Sequence, residues 1–197
     1  MRYGEVASFL ASGQNVRPTR LLEAGFRFVK PTIEDFFEGT DHAAVDRLDL
    51  HRYMGTWYEI ARFDHRFERG LSEVTATYTL MPDGTVRVEN RGCKHKKPYD
   101  VCKTAEGRAK IPDPSQPGKL KVSFFLSFYS DYYVLELDQD EYNYALIGSS
   151  SDKYLWILSR APILPEEIKK KLLDAATRRG YDVKKLIWVE QREKKIM

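Results

Sequence analysis

What the sequence has little of excludes several classes of protein. No apolar run approaches the ~20 residues that a membrane-spanning helix needs, and the start, Met1–Glu5, lacks the basic-then-apolar order of a signal peptide. No cysteine precedes Cys93, so either the protein has no lipid-anchored leader or that leader is not in this sequence. The net charge of +3, from 32 basic and 29 acidic side chains, is too small to favour a nucleic-acid partner.

The sequence also lacks the common patterns of catalytic and metal-binding sites. Its four histidines have no metal-ligand spacing relative to one another. It contains neither a Gly-x-Ser-x-Gly motif nor a phosphate-binding loop, and Ser149–Asp152 suits a turn. We therefore predict no catalytic residue, no metal and no cofactor, and a protein that is not an enzyme.

What is present favours one β-rich domain with an extension. Aromatic residues make up 13% of the 197 residues, and such residues are enriched in strands. We predict an amino-terminal extension over 1–45, a main domain over 46–191 and a charged tail over 192–197. The extension is either a loosely ordered leader or carries a short helix near 31–39, whose phenylalanines, with Phe26 and Phe28, could pack on the main domain.

Strand-like runs follow one another without intervening helices after residue 56. Met81-Pro82-Asp83-Gly84 is a tight hairpin signal between two of them. This order indicates an antiparallel meander, and roughly eight such strands can close into a barrel that holds one small ligand. A helix is predicted between Pro165 and Gly180, followed by a short strand at 186–189. The predicted strands are 57–63, 73–81, 84–91, 101–110, 119–126, 131–138, 143–149 and 153–159.

Two motifs frame this region, and together they resemble the lipocalin family. Gly55-x-Trp57 opens the first strand, and Arg160 follows the last. The run GTWYEIARFDHRFERG, residues 55–70, is similar to the bacterial outer-membrane branch, which is akin to apolipoprotein D. The resemblance covers about 45–191 and implies an all-β fold: an eight-stranded antiparallel up-and-down barrel with a carboxy-terminal helix packed outside and a short extra strand. It also implies that Arg160 closes over Trp57 as a structural cation–π pair at the barrel floor.

Alternation along the strands predicts which side chains line the barrel. Charged or polar residues separate the apolar ones in the second, third and fifth strands, which places Ala76, Tyr78, Val88, Asn90, Val122 and Phe124 inside. In the first strand, the parity of Trp57 places Glu59 and Ala61 inside. A buried Glu59 would be costly unless it is hydrogen-bonded or protonated. For each residue, plain core packing is the alternative to ligand contact.

The seventh and eighth strands are apolar on both faces, so alternation does not orient them. The resemblance favours Trp156 inside, with Tyr154 and Leu158. The predicted ligand-binding residues are therefore Glu59, Ala76, Tyr78, Val88, Asn90, Val122, Phe124, Tyr154 and Trp156.

Cys93 and Cys102 flank a segment near the tips of the third and fourth strands. A hairpin could bring them within bonding distance, and the bridge would contribute about 2 kcal/mol. Two free thiols are the alternative, and the family resemblance does not favour either.

The resemblance implies a binding function rather than a reaction. Its expected partner is a small hydrophobic ligand, fatty acid or lysophospholipid, carried in the barrel for maintenance of envelope lipids in the periplasm or outer membrane, with a peripheral membrane contact. The oligomeric state stays open. One alternative is an interaction module whose extension docks a partner or plugs the barrel. A less favoured alternative is an enzyme that acts on a bound lipid, because the sequence shows no nucleophile–base pair.

Overall fold

The computed structural model describes Arg20, Glu23 and residues 39–96, 99–124 and 128–192. The chain divides into two compact units, Met1–Gly39 and Thr40–Met197. Residues 31–38 of the predicted short helix, Phe26 and Phe28, and tail residues 193–197 lie outside the described part. The account below concerns the second unit.

Nine antiparallel strands form one sheet that closes on itself. The strand order is β2-β3-β4-β5-β6-β7-β8-β1, β1 also pairs with β2, and β9 adds to β1 over Ala61–Phe63. The predicted eight-stranded barrel with an extra strand is therefore confirmed. The strands are β1 Gly55–Phe63, β2 Ser72–Leu80, β3 Val86–Lys94, β4 Val101–Lys110, β5 Lys119–Ser123, β6 Ser130–Leu137, β7 Tyr144–Gly148, β8 Trp156–Ser159 and β9 Leu186–Trp188.

Two α-helices flank the barrel in the described part of this unit. The short α1, Leu50–Tyr53, begins after Asp49, whose carboxylate accepts from two backbone N–H groups of its first turn. The longer α2, Glu166–Arg178, follows Pro165 and is terminated by Gly180, whose φ of +88° suits glycine. A 3₁₀ turn, Val183–Lys185, leads into β9. Neither α-helix has the length and apolarity to cross a membrane.

Two apolar layers lie on opposite faces of the sheet. The inner layer fills the lower barrel and includes Trp57, Val88, Val134 and Leu158. The outer layer packs α2, through Leu172 and Ala176, against outward-facing residues of the strands. The members of the outer layer contributed by β1, β6, β7 and β8 are Ile60, Ala61, Phe63, Leu135, Leu146 and Ile157.

A β-bulge in β1 overturns one expectation from alternation. Glu59 pairs with Leu158 and Ala61 pairs with Ile157, so one extra residue lies between them on β1. The extra residue reverses the parity beyond that point. Ala61, predicted inside, belongs to the outer layer beneath α2, and Arg62 takes an inward, fully buried position instead.

The two ends of the barrel differ in their connections. The closed end carries α1 and the loops at 81–85, 111–118 and 138–143, whereas the open end carries those at 64–71, 95–100, 124–129 and 149–155. At the open end, β4 extends beyond its pairing with β5, which covers Arg108–Lys110. The open-end half of β4 is exposed on both faces.

Residues 40–45, assigned to the extension by the sequence analysis, are part of this second unit and hydrogen-bond to its barrel and α2. The Val45 N–H donates to the Val134 carbonyl at 2.8 Å, and the Asp41 N–H donates to the Arg179 carbonyl at 2.8 Å. The Arg179 guanidinium also binds Asp41 and Glu136, both at 3.0 Å. Arg179 thus ties this segment to β6.

Candidate functional site: the barrel interior

The closed end of the interior is sealed by Arg160 over Trp57. The guanidinium carbon lies 3.9 Å from the centroid of the indole, and Trp57 is fully buried. The guanidinium donates to the carbonyls of Thr56, Arg52 and Met54 at 2.8–3.0 Å. A Cβ on Gly55, whose φ is +91°, would lie 3.4 Å from this guanidinium. These contacts connect α1, β1 and the end of β8.

Three tyrosine hydroxyls form a buried chain just above this floor. Tyr132 Oη lies 2.7 Å from Tyr53 Oη and 3.0 Å from Tyr78 Oη. Burial raises the pKa of all three phenols above that of free tyrosine. The chain is therefore uncharged at physiological pH and supplies hydrogen-bond donors without a charge.

The upper interior contains a buried, hydrogen-bonded pair of side chains from β1. Arg62 Nη1 donates to Glu59 Oε1 at 2.6 Å, and both side chains are almost completely buried. Arg62 Nη2 donates to the carbonyls of Glu68, at 2.6 Å, and Leu71, at 3.2 Å. The bulge allows this pairing, because it turns Arg62 to the same side as Glu59. Arg62 thereby binds the backbone of loop 64–71.

The side chain of Glu68 enters the same interior from the loop. Its Oε2 accepts from Trp156 Nε1 at 3.2 Å and lies 2.7 Å from His65 Nε2. The Trp156 ring packs edge-on against His65 at 5.4 Å and stacks on Tyr154 at 5.8 Å. We name Glu59, Arg62, His65, Glu68 and Trp156 the mouth network.

The surroundings of the two buried glutamates shift their pKa values in opposite directions. Desolvation, and then the neighbouring Glu68 charge, raise the pKa of Glu59 well above that of free glutamate, while Arg62 opposes the shift. Burial acts in the same sense on Glu68, but its close contact with His65, the Trp156 N–H and the Arg62 charge together outweigh burial and lower the Glu68 pKa. The raised pKa of Glu59 favours its protonated form, and the Arg62 guanidinium donates to its Oε1. The predicted cost of burying Glu59 is thus offset by both hydrogen bonding and protonation.

Several predicted pocket residues lie on the inner face. Tyr78 and Val88 are buried in the inner layer, and Ala76, Val122 and Trp156 pack against it while keeping part of their surface exposed. Asn90 pairs with Ala76 across β2 and β3, and its Oδ1 is buried without a hydrogen-bond partner in the described structure. Leu155 and Ile157 belong to the outer layer, so Trp156 and Leu158 face inward together.

Phe124 and Tyr154 lie at the rim of the open end rather than within the wall. Phe124 follows the last residue of β5 and is 43% exposed, and its ring lies against Gly107, where an added Cβ would meet it at 2.8 Å. Tyr154 precedes β8 and is 36% exposed. Phe124 was predicted inside by extending alternation past the end of β5, and Tyr154 was predicted inside from the family resemblance.

Sequence reasoning missed the residues that hold the mouth network and the phenol chain together. Arg62, His65 and Glu68 occur in the run that suggested the family, but no periodicity orients them, because the bulge and the loop do so. Tyr53 precedes β1, and Tyr132 is followed on β6 by a second tyrosine, Tyr133, so residue type does not show which of the two faces inward. Only the bulge and the closure of the barrel place these groups together.

The β3–β4 hairpin is closed by a disulfide between Cys93 and Cys102. These residues are directly paired in the ladder. The enclosed loop bears His95, whose Nδ1 lies 2.8 Å from Asp100 Oδ1. The bridge therefore fixes the tip of the hairpin that forms one side of the open end.

Comparison with known proteins identifies the family. The sequence-family model of the lipocalin-like domain matches residues 48–191 of this chain. The chain belongs to the lipocalin family. Residues 1–39 match a separate domain of unknown function (DUF1731). Outer membrane lipoprotein Blc of Escherichia coli strain K12 is 50% identical over 147 residues, which cover 75% of this chain and 81% of that protein.

Other lipocalins are more distant. Temperature-induced lipocalin-1 of Arabidopsis thaliana is 42% identical over 158 residues, covering 76% of this chain and 82% of its own length. Apolipoprotein D of Mus musculus is 34% identical over 154 residues, covering 74% of this chain and 78% of its own length. The predicted Blc and apolipoprotein D-like relationship is therefore confirmed.

Solved structures show the same fold. Insecticyanin from the tobacco hornworm Manduca sexta matches with a TM-score of 0.63 at 23% identity, covering 79% of this chain and 87% of that one. Apocrustacyanin C1 matches with a TM-score of 0.59 at 20% identity, covering 74% and 81%. Lipocalins are binding proteins for small hydrophobic ligands, and the fold with these relatives points to a non-enzymatic carrier.

Proposed function

We propose that this lipocalin binds and carries a fatty acid or lysophospholipid in the upper half of its barrel. The observation that carries the proposal is the gradient of exposure along the inner face. Along β3 and β4, Val88 and Ala109 near the closed end are buried to 4% exposure or less, whereas Ala105, which pairs with Asn90 nearer the open end, is exposed. Inward side chains that remain exposed indicate space above a sealed floor.

The chemistry of this space suits an amphiphile. Enclosing an acyl chain gains about 0.8 kcal/mol per methylene. A few polar groups near the mouth then orient a head group. Asn90 Oδ1 and Arg62 Nε are buried and lack hydrogen-bond partners in the described structure, so both remain available to such a group. A surface cleft of about 520 Å³ between α1 and loop 138–143 lies at the closed end, away from this space.

A filled-cavity variant tests the proposal. Ala76→Phe places a ring in the interior, and Thr77→Phe places the same ring on the outward face of β2. We expect Ala76→Phe to weaken binding of palmitate and of a lysophospholipid by at least about tenfold, equivalent to 1.4 kcal/mol, and Thr77→Phe to bind normally. Native mass spectrometry of the purified parent should show bound lipid. Equal binding by both variants would place the ligand elsewhere.

We further infer that the open end contacts membranes, since its loops present aromatic residues to solvent. Tyr99 is 80% exposed, Phe128 75% and Phe67 71%, and the Arg66 guanidinium lies over the Phe67 ring at 4.7 Å. Aromatic rings beside cations suit an interface of anionic lipid. Phe67→Ser should reduce cosedimentation with phosphatidylglycerol vesicles, whereas Ile163→Ser, a change at a residue 62% exposed beyond the closed-end terminus of β8, should not. An equal loss in both variants would contradict this contact.

A role in envelope lipid maintenance fits these properties. The Cys93–Cys102 bridge suits an oxidising compartment such as the periplasm. The bacterial relatives are named outer membrane lipoproteins. Lipid extracted from protein purified from its native host would identify the cargo, and an extract without lipid would contradict the role.

A further inference from the structure

Loop 64–71 is attached to the barrel interior mainly by charged groups. Arg62, from the end of β1, binds the loop carbonyls of Glu68 and Leu71. Glu68 returns a carboxylate to Trp156 on β8. On the outer side, the ion pair between Asp64 and Arg69 is exposed. The attachment of the loop to the barrel therefore passes through the mouth network.

The mouth network is electrically neutral in one protonation state. It contains two acids, Glu59 and Glu68, and two bases, Arg62 and His65. With both carboxyl groups ionised, the Arg62 guanidinium balances only one of the two negative charges, so the network is neutral when Glu59 holds one proton. Loss of that proton leaves one uncompensated negative charge among side chains that are at most 14% exposed.

Among the described residues, the groups that face the network from neighbouring elements are uncharged, apart from the exposed Asp64 carboxylate beside Arg62, which is itself negative. Tyr78 of β2 faces both glutamates, and with Tyr132 of β6 it remains an uncharged phenol. Trp156 of β8 contributes only an N–H donor. Gln191, beyond β9, bonds through its uncharged amide to the Glu59 carbonyl. An excess buried charge is costly when it is neither paired nor hydrated. Opening of the loop to water relieves that cost.

We propose that loop 64–71 is a lid latched by one proton, and that release of this proton from the mouth network opens the lid over the ligand space. The biological role of the lid rests on the proposed ligand binding, but the latch itself should operate in the ligand-free protein as well. One proton released per opening event makes the opening equilibrium rise about tenfold per pH unit once the latch begins to titrate. The carrier thus retains its ligand more tightly at lower pH within the range where the protein is folded.

Amide hydrogen exchange of the ligand-free protein tests the latch. Exchange in 64–71, referenced at each pH to the closed-end loop 138–143, is followed by mass spectrometry between about pH 5 and about pH 8. We expect the exchange rate of 64–71, divided by that of 138–143, to rise by at least about tenfold across this range in the parent. Glu59→Gln removes the need for the extra proton, so its ratio should stay constant. Asp64→Asn, on the outer face of the same lid, should retain the parent's slope.

Three outcomes of the exchange experiment overturn the latch. They are a constant ratio in the parent, a slope retained in Glu59→Gln, or a slope lost equally in Asp64→Asn. The first measurement needs no variant, so it stands even if Glu59→Gln does not fold. The infrared C=O band of the protonated Glu59 carboxyl group gives a second measurement, and this band should disappear in the parent as the pH rises.

Ligand binding separates the latch from the proposed function. N-phenyl-1-naphthylamine is a hydrophobic fluorophore that is uncharged over this range. We expect its affinity for the parent to fall with rising pH and its affinity for Glu59→Gln to stay constant. A pH-dependent lid without probe binding would support the latch and contradict the binding function. Probe binding with no pH dependence of the lid would support binding and overturn the latch.

Discussion

The two ends of the barrel interior bury polar groups in opposite ways. At the floor, the buried groups are uncharged phenols and an indole, and the Arg160 guanidinium covers the indole from the partly exposed side. At the mouth, the ionisable side chains of Glu59 and Arg62 are themselves buried, and burial raises the pKa of Glu59. The floor therefore keeps the same state at every physiological pH, whereas the state of the mouth depends on one proton.

The origin of the contacts differs in the same way. The floor joins residues far apart in sequence, since Arg160 binds the carbonyls of Arg52 and Met54. The mouth joins near neighbours of one stretch, 59–71, and reaches another part of the chain mainly through Trp156. Substitutions that remove contacts at the floor should therefore lower global stability, whereas substitutions in the mouth network should chiefly affect opening of loop 64–71.

The largest expected effect is at the floor. Trp57→Ala removes a fully buried indole, so the free energy of unfolding should fall by about 3–5 kcal/mol. Trp188→Ala changes the same residue type at a site 44% exposed and should cost less than about 1 kcal/mol. Urea denaturation followed by circular dichroism measures both. Similar losses in the two variants would contradict the assignment of Trp57 to the floor.

Removing the cover of the floor should cost less. Arg160→Ala loses the stacked guanidinium and its bonds to backbone carbonyls, and we expect a fall of about 1–3 kcal/mol in the free energy of unfolding. Arg160→Lys keeps the charge but not the planar fork, so it should recover only part of this loss. A denaturation midpoint that is unchanged in Arg160→Ala would show that the contact of Arg160 with Trp57 does not stabilise the protein.

The mouth should show its contribution as a pH dependence. Because the Glu59 pKa is raised in the folded protein, its stabilising effect is complete below about pH 4.5 and is lost as the pH rises through the folded pKa. The slope cannot exceed about 1.4 kcal/mol per pH unit for one proton. Glu59→Gln should flatten this part of the stability curve, while Glu89→Gln on β3 should leave it unchanged. A parent curve without this slope would contradict the raised pKa of Glu59.

The Glu68 carboxylate acts in the opposite sense at lower pH. Its pKa is lowered, so its contribution is present above the normal glutamate range and is lost as the pH falls through the folded value. Acid titration of the same stability curve therefore separates the two carboxyl groups. A Glu68→Gln variant that keeps the acid limb of the parent would assign that limb to other residues.

The smallest expected effect is within the phenol chain. Tyr132→Phe removes the central hydroxyl and leaves Tyr53 and Tyr78 without their shared partner, so we expect a loss of about 1–2 kcal/mol. The loss should be the same at every pH below the tyrosine range, unlike the effect of Glu59→Gln. Tyr133→Phe, on the opposite face of β6, should cost less because its hydroxyl can turn to water. A pH-dependent loss in Tyr132→Phe would remove the contrast between floor and mouth.

The sequence by itself determined the fold class, the order of the elements and the parity of the regular strands. Strict alternation on β2 and β3 placed Tyr78 and Val88 correctly, because polar outward residues leave only one way to bury the apolar set. The ends of α2 followed from Pro165 and Gly180, which act through local backbone geometry.

Only the tertiary structure decided the charged part of the interior. The bulge after Glu59 reversed the parity of β1, moved Ala61 beneath α2 and turned Arg62 inward. A bulge is set by pairing with a neighbouring strand, so it leaves no periodic signal in its own strand. Likewise, the loop bearing His65 and Glu68 has no alternation, and its side chains are directed by partners on β1 and β8. Local patterns placed the walls of the barrel, and long-range pairing placed the groups that close its mouth.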